Sequence, residues 1–133
     1  MDASSLSPAH RAFAGLRLPA VAAPLFIIST PALVIAQCKA GIVGSMPALN
    51  ARPAELLDDW LAEITEALAA HDRAHPEAPA APFAINQIVH RSNDRLEHDM
   101  ALCEKYRVPV VITSLGARPE INHAVHGLSL IHI

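Results

Sequence analysis

The residues able to do chemistry in this sequence gather at the ends of its apolar runs. Ala23-Pro24-Leu25-Phe26 lies late in the uncharged run that begins at Leu18, and the small and hydroxyl residues Ser29 and Thr30 follow soon after. Such a segment offers a narrow ledge of main-chain N–H and C=O groups at the carboxyl end of a strand, where parallel βα folds bind their ligands. Ser114 closes a later run, Val108 to Ser114, on the corresponding face, and its hydroxyl serves either a ligand or the loop backbone. Asn86 and Gln87 place two side-chain amides, each both donor and acceptor, in the run Phe83 to Ile88. Asn86 is read either as a site residue or as a turn cap. His90 follows in the next loop, where a histidine faces solvent or approaches a substrate.

Other candidates fall away on spacing. His71 and His75 are spaced i,i+4, and His123 and His126 i,i+3, so each pair offers two corners of a metal site. No third ligand or Glu-Xaa-Xaa-His context accompanies either, and no metal is assigned. The chain has no P-loop, GxGxxG or GxSxG, and Gly41 and Gly44 do not imitate a dinucleotide turn. Cys38 and Cys103 fall on expected helices and read as small buried side chains in a reducing cytoplasm, not as a disulfide.

Composition excludes further classes. With 52% hydrophobic and 17% charged residues and a formal net charge of −3, the 133-residue chain is globular. Its basic residues are scattered and its aromatics few, which removes the clustered basic face of a nucleic-acid binder. Leu18 to Cys38 carries no charge and follows Arg11 and Arg17, as in a signal peptide or spanning helix. Pro19, Pro24 and Pro31 divide that run and would break the backbone bonding a bilayer demands. The chain reads as cytoplasmic, with no membrane or nucleic-acid partner.

Regular elements must position these residues. The expected first strand is about Ala20 to Ile28. Thr30 caps a helix with Pro31 at its first position, where a missing N–H costs nothing, and Gly41 ends that helix, about Pro31 to Lys39, in a left-handed cap. A second strand spans about Ile42 to Ser45, and Met46 to Arg52 forms the loop after it. Leu56, Leu57, Trp60, Leu61, Ile64 and Leu68 make one apolar stripe on a second helix, with Pro53 at its start and Glu55, Asp58 and Asp59 suiting its dipole. The proline-rich stretch Ala74 to Pro82 is a connection into the third strand, Phe83 to Ile88. A third helix, about Asn93 to Tyr106, buries Leu96, Met100 and Cys103. A fourth strand, Val108 to Ser114, precedes a helix starting at Pro119. Met1 to Ala9 is expected to fray, and His10 to Leu16 to form a turn or short helix. The cadence is about four βα units, whose continuous apolar strands suit a parallel sheet covered on both faces.

Three blocks carry a family resemblance: APLFIISTPALVIAQCKAGIVGSMPALNARP, APFAINQIVHRSNDRLEHDMALCEKY and VPVVITSLGARPEINHAVH. Together they make the segment from Leu16 to Gly127 resemble the nitronate monooxygenase (2-nitropropane dioxygenase) family. That resemblance implies an FMN-dependent (β/α)8 barrel, a fold that typically needs about 250 residues. The implied fold class is therefore α/β, the first half of a TIM-type (β/α)8 barrel, truncated, with residues 1–133 a single partial domain. It further implies that Ala23, Pro24 and Leu25 set main-chain groups against the FMN ring, that the Asn86 amide meets the ring's pyrimidine edge, and that Ser114 belongs to the same cofactor site. The implied activity is oxidative denitrification of a nitronate or nitroalkane with O2. The family's catalytic histidine and glycine-rich phosphate loops belong to the later half, so no catalytic residue is assigned here, and the 133-residue chain alone is expected to be inactive. Residues 128–133 read as a non-native tail on a truncated gene product, the alternative being the start of a fifth strand. Three rival readings stand beside this one: an inactive half-barrel that forms homo-oligomers through its open edge, a related FMN barrel that reduces enoyl thioesters, and a flavin-free phosphosugar-type barrel that would need phosphate-loop glycines absent here.

Overall fold

The structure, a computed structural model, describes residues 7–127 and the pair Ile131–His132. In chain order the elements are α1 (Pro8–Phe13), α2 (Pro31–Ala40), β1 (Gly44–Pro47), a 3₁₀ turn (Ala48–Asn50), α3 (Leu56–Ala74), β2 (Phe83–Ile88), α4 (Leu96–Lys105), β3 (Val110–Ser114), α5 (Pro119–Gly127) and β4 (Ile131–His132). The four strands lie in the order β1-β2-β3-β4, each parallel to the next. Sequential parallel neighbours joined through helices are the arrangement of a βα barrel wall rather than of a doubly wound sheet.

Helices α2, α3, α4 and α5 share one side of this sheet. Met46, Phe83, Ile85 and Val111 pack with Val34 and Cys38 of α2, Leu57, Leu61, Ile64 and Leu68 of α3, Leu96, Met100 and Cys103 of α4, and Ile121 and Val125 of α5. Alternate strand residues, Val43, Ala84 and Val110, turn to the other face and pack with Ala12, Phe13, Leu16 and Ile112. The segment from α1 to Leu16 thus covers part of the inner face.

Local chemistry explains most element boundaries. Pro31 is the first residue of α2, and Gly41 ends that helix at φ +95° with its N–H bonded to the Cys38 carbonyl. Thr30 holds the extended N-cap conformation without a side-chain cap bond. The apolar stripe of α3 is buried as its spacing predicts, but the helix begins at Leu56, because Pro53 to Glu55 form a turn. Helix α4 begins at Leu96 and not at Asn93: the Asn93 amide donates to the Ile88 carbonyl and accepts from the Arg95 N–H, closing a separate turn. Pro8 and Ala9, expected to fray, open α1, where Ser7 caps the His10 N–H.

The expected first strand is the main correction. Of Ala20 to Ile28, only Val21 pairs, as a parallel bridge to Val43, with Ala22 N–H donating to the Val43 carbonyl and Val43 N–H to that of Ala20. Past Pro24 the chain turns away, so this wall of the sheet is one rung deep. At the opposite edge Ile131–His132 pair with Val110 and Val111, the position of the next parallel strand; Leu128–Leu130 and Ile133 lie outside the described residues. No helix among the described residues is long and apolar enough to cross a membrane.

Candidate functional site

Strand alternation decides which side chains meet at the carboxyl ends of the strands. Because Phe83 and Ile85 pack under the helices, Ala84 and Asn86 point to the inner face. Gln87 points the other way: its Nε2 donates to the Cys103 Sγ at 3.3 Å beneath α4. In register Asn86 stands between Pro47 of β1 and Ile112 of β3. It is only 9% exposed, and its Oδ1 has no hydrogen-bond partner. Gln87 Oε1 and Asp99 Oδ2 are also buried without partners, yet both belong to the helix side. An orphaned amide oxygen costs about 1–3 kcal/mol unless something arrives to satisfy it.

Ser114 falls on the same inner face by alternation with Ile112, level with Ile88, and is half-buried. Its carbonyl accepts from the Val89 N–H at 3.0 Å. The ledge lies past the other edge of β1. Ser45, fully buried, donates its hydroxyl to the Ala22 carbonyl and so ties the ledge to the sheet. Beyond that bond, the Ala23 N–H and C=O and the Pro24 C=O make no hydrogen bond among the described residues. Leu25 differs, since its main-chain groups are used inside a turn: its N–H donates to Ser29 Oγ at 2.8 Å and its carbonyl accepts from the Ser29 N–H.

Asn50, which the sequence did not single out, holds this turn. Its Nδ2 donates to the carbonyls of Leu25 (3.0 Å) and Ser29 (2.9 Å), while its Oδ1 accepts from the Ile27 N–H (3.1 Å). Ile27 sits at φ +66°, a conformation a β-branched residue keeps only when its surroundings impose it. The result is a fixed turn presenting apolar side chains outward: Phe26, Ile27 and Ile28 are 58%, 72% and 64% exposed. The Arg52 guanidinium lies 5.2 Å from the Phe26 ring centroid.

The remaining candidates do not join this group. His90 is exposed and bonded to Ser92 in its own loop. His71 and His75 stack ring to ring 4.8 Å apart at the far end of α3, and no group of three metal-ligating side chains occurs among the described residues. Cys38 and Cys103 are free and buried. A groove of about 290 Å³ near the amino ends of β2 and β3, lined by Leu68, Asp72, Phe83, Tyr106 and Arg107, opens on the face opposite the ledge. Chemically, then, the described residues offer a buried amide with a free acceptor on the inner face and, past the edge of β1, an exposed ledge with an unpaired main-chain N–H, unpaired carbonyls and an apolar rim.

No protein-family model and no curated protein matches the chain. Among solved structures it is similar to a mutant of FabK from Thermotoga maritima, a TIM-barrel protein, with a TM-score of 0.69 and 16% sequence identity. The likeness covers 96% of this chain and 38% of that one. It is a likeness of fold: an α/β chain with a parallel sheet that corresponds to part of a TIM barrel.

Proposed function

We propose that this chain forms the flavin-facing first half of an FMN-dependent (β/α)8-barrel oxidoreductase, of the nitronate monooxygenase kind. The observation that carries the reading is Asn86: a buried amide on the inner face, at the carboxyl end of a parallel strand, with its oxygen unsatisfied. A flavin's pyrimidine edge alternates an N–H with carbonyl oxygens, which is the complement of an amide. The ledge suits the same group, since Ala23 and Pro24 bring small side chains and unused main-chain groups beside it. Phosphate-binding glycine loops are missing from the described residues, in keeping with a site completed by later strands.

When bound, FMN supplies electron transfer between a nitronate or nitroalkane and O2. This chain's residues would hold and orient it: Asn86 by its amide, Ala23 and Pro24 by their backbone, Leu25 through the turn that fixes them, and Ser114 by its hydroxyl. Phe26 and Ile28 would keep water from the ring. No base for proton removal from substrate is assigned among the described residues.

Enoyl-thioester reduction is the second reading, and the exposed apolar turn Phe26–Ile28 favours it, because an acyl chain needs such a surface and a small nitroalkane does not. Absorbance of the purified whole protein that carries this segment tests the cofactor: a flavin spectrum, or binding of added FMN, is expected, and neither appearing would refute it. Oxygen uptake with a nitronate, compared with turnover of an enoyl thioester, separates the two substrates. Size-exclusion chromatography of the 133-residue chain tests whether its open edges pair copies into a homo-oligomer.

A further inference from the structure

We infer that Arg95 is a positioning residue for the flavin-facing ledge, acting from α4 through the Ala48–Ala51 turn and Asn50; the inference rests on the reading of that ledge given above. Arg95 immediately precedes α4, and its guanidinium spans two elements. Nη1 donates to the Ala51 carbonyl at 2.7 Å, and Nη2 donates to the Ala48 carbonyl at 3.3 Å and to Asp99 Oδ1 at 3.2 Å. Asp99 is fully buried one helical turn along, and its Oδ1 also lies 2.9 Å from His98 Nδ1. The carboxylate holds the cation, and the cation's planar fork holds two carbonyls at once, which a lysine's single ammonium could not do in the same plane.

Those two carbonyls bracket Asn50. Ala48 and Ala51 are both fully buried, and the Ala51 N–H closes on the Ala48 carbonyl at 3.1 Å, so the backbone carrying Asn50 cannot pivot. The Asn50 side chain then adds three bonds to the Leu25–Ser29 turn, directly after Ala23 and Pro24, beside the two that Leu25 and Ser29 make with each other. A buried ion pair adds little stability over well-packed apolar side chains of similar volume. What Arg95 and Asp99 add here is direction: they connect the helix layer to the one part of the site that no regular strand supports.

Amide hydrogen exchange on the 133-residue chain tests the relay. Arg95→Met alone leaves the Asp99 charge buried and unpaired and is liable to unfold the protein, so the decisive variant is Arg95→Met with Asp99→Leu, which removes both charges. In that variant the Leu25, Ile27 and Ser29 amides should exchange faster by about tenfold, while those of Ile85 and Val111 in the sheet keep their rates. Asn50→Ala should produce the same local acceleration and add nothing further when combined with the pair. Turn amides that keep the parent's rates in a folded variant would overturn the relay, as would turn and sheet amides accelerating together. In the whole protein that carries this segment the same double variant should weaken FMN binding by about threefold, a difference of about 0.7 kcal/mol. A loosened turn with unchanged FMN affinity would overturn the positioning role; a parent protein that binds no FMN would refute the flavin reading, and the exchange rates alone would then decide the relay.

Discussion

Gln87 and Cys103 meet inside the protein: the Gln87 amide donates to the Cys103 Sγ at 3.3 Å, and both side chains are fully buried. Successive strand residues point to opposite faces, so anchoring Gln87 under α4 commits Asn86 to the inner face. A slip of one residue would exchange the two amides, putting the longer Gln87 side chain on the inner face in place of Asn86.

The same burial makes both thiols inert. Desolvation pushes Cys103 up to about 12, against the opposing effect of the Gln87 hydrogen bond, and raises Cys38 from its ordinary 9.0 to about 11. Both folded values lie above the unfolded one. The native state therefore keeps protons that the unfolded chain releases, and this contribution to stability, complete below about pH 9, declines as pH rises toward the folded values. Thiol labelling near pH 8 should modify neither cysteine in the native protein and both in urea. Urea midpoints should fall between about pH 9 and pH 10.5. Rapid native labelling of either cysteine would contradict the packing.

Gly44 is a second test of the wall between β1 and α2. A Cβ built there would lie 2.5 Å from the Val34 carbonyl oxygen and 2.9 Å from Cys38 Sγ. Gly44→Ala must push strand and helix apart, and a loss of about 1–3 kcal/mol in urea unfolding is expected. Gly15, which has open space around its Cα, should accept alanine without such a loss.

Much of the fold was legible because its signals are local. The run Phe83 to Ile88 forms a strand with the expected bounds, and the i, i+3, i+4 stripe of α3 is buried where its spacing places it. The run Ala20 to Ile28 misled for a physical reason: apolarity alone does not distinguish a buried strand from an exposed turn. Its two prolines, Pro19 and Pro24, and the hydroxyl of Ser29 were the available contrary signals. Asn50 and the reach of Arg95 to the Ala48–Ala51 turn went unread because the Ile27 and Ala51 partners lie 23 and 44 residues away; the local Arg95–Asp99 pair gave no sign of that reach. The place of Asn86 late in the strand Phe83 to Ile88 was legible from the apolar run; its unsatisfied oxygen was not, because that depends on every neighbour at once.

Asn50→Ala removes three of the bonds that hold the Leu25–Ser29 turn and leaves those between Leu25 and Ser29. Ile27 then has little reason to stay at positive φ, and the turn should open while the sheet persists. Chymotrypsin should cleave after the exposed Phe26 faster by about tenfold or more in the variant, read by mass spectrometry. Unchanged cleavage would show that the turn holds itself.

The most direct test of the account is FMN titration of the whole protein that carries this segment and of its Asn86→Leu variant, followed by flavin fluorescence. Leu keeps the bulk of Asn86 and removes both its donor and its acceptor. An unpaired group in a desolvated site costs about 1–3 kcal/mol, so affinity should fall by roughly tenfold or more. The urea midpoint without FMN should hold or rise, because the variant buries no orphaned oxygen. Weaker FMN binding with undiminished stability is the result the account predicts; equal FMN affinity in parent and variant would contradict it and leave Asn86 a strand residue with no part in holding the cofactor.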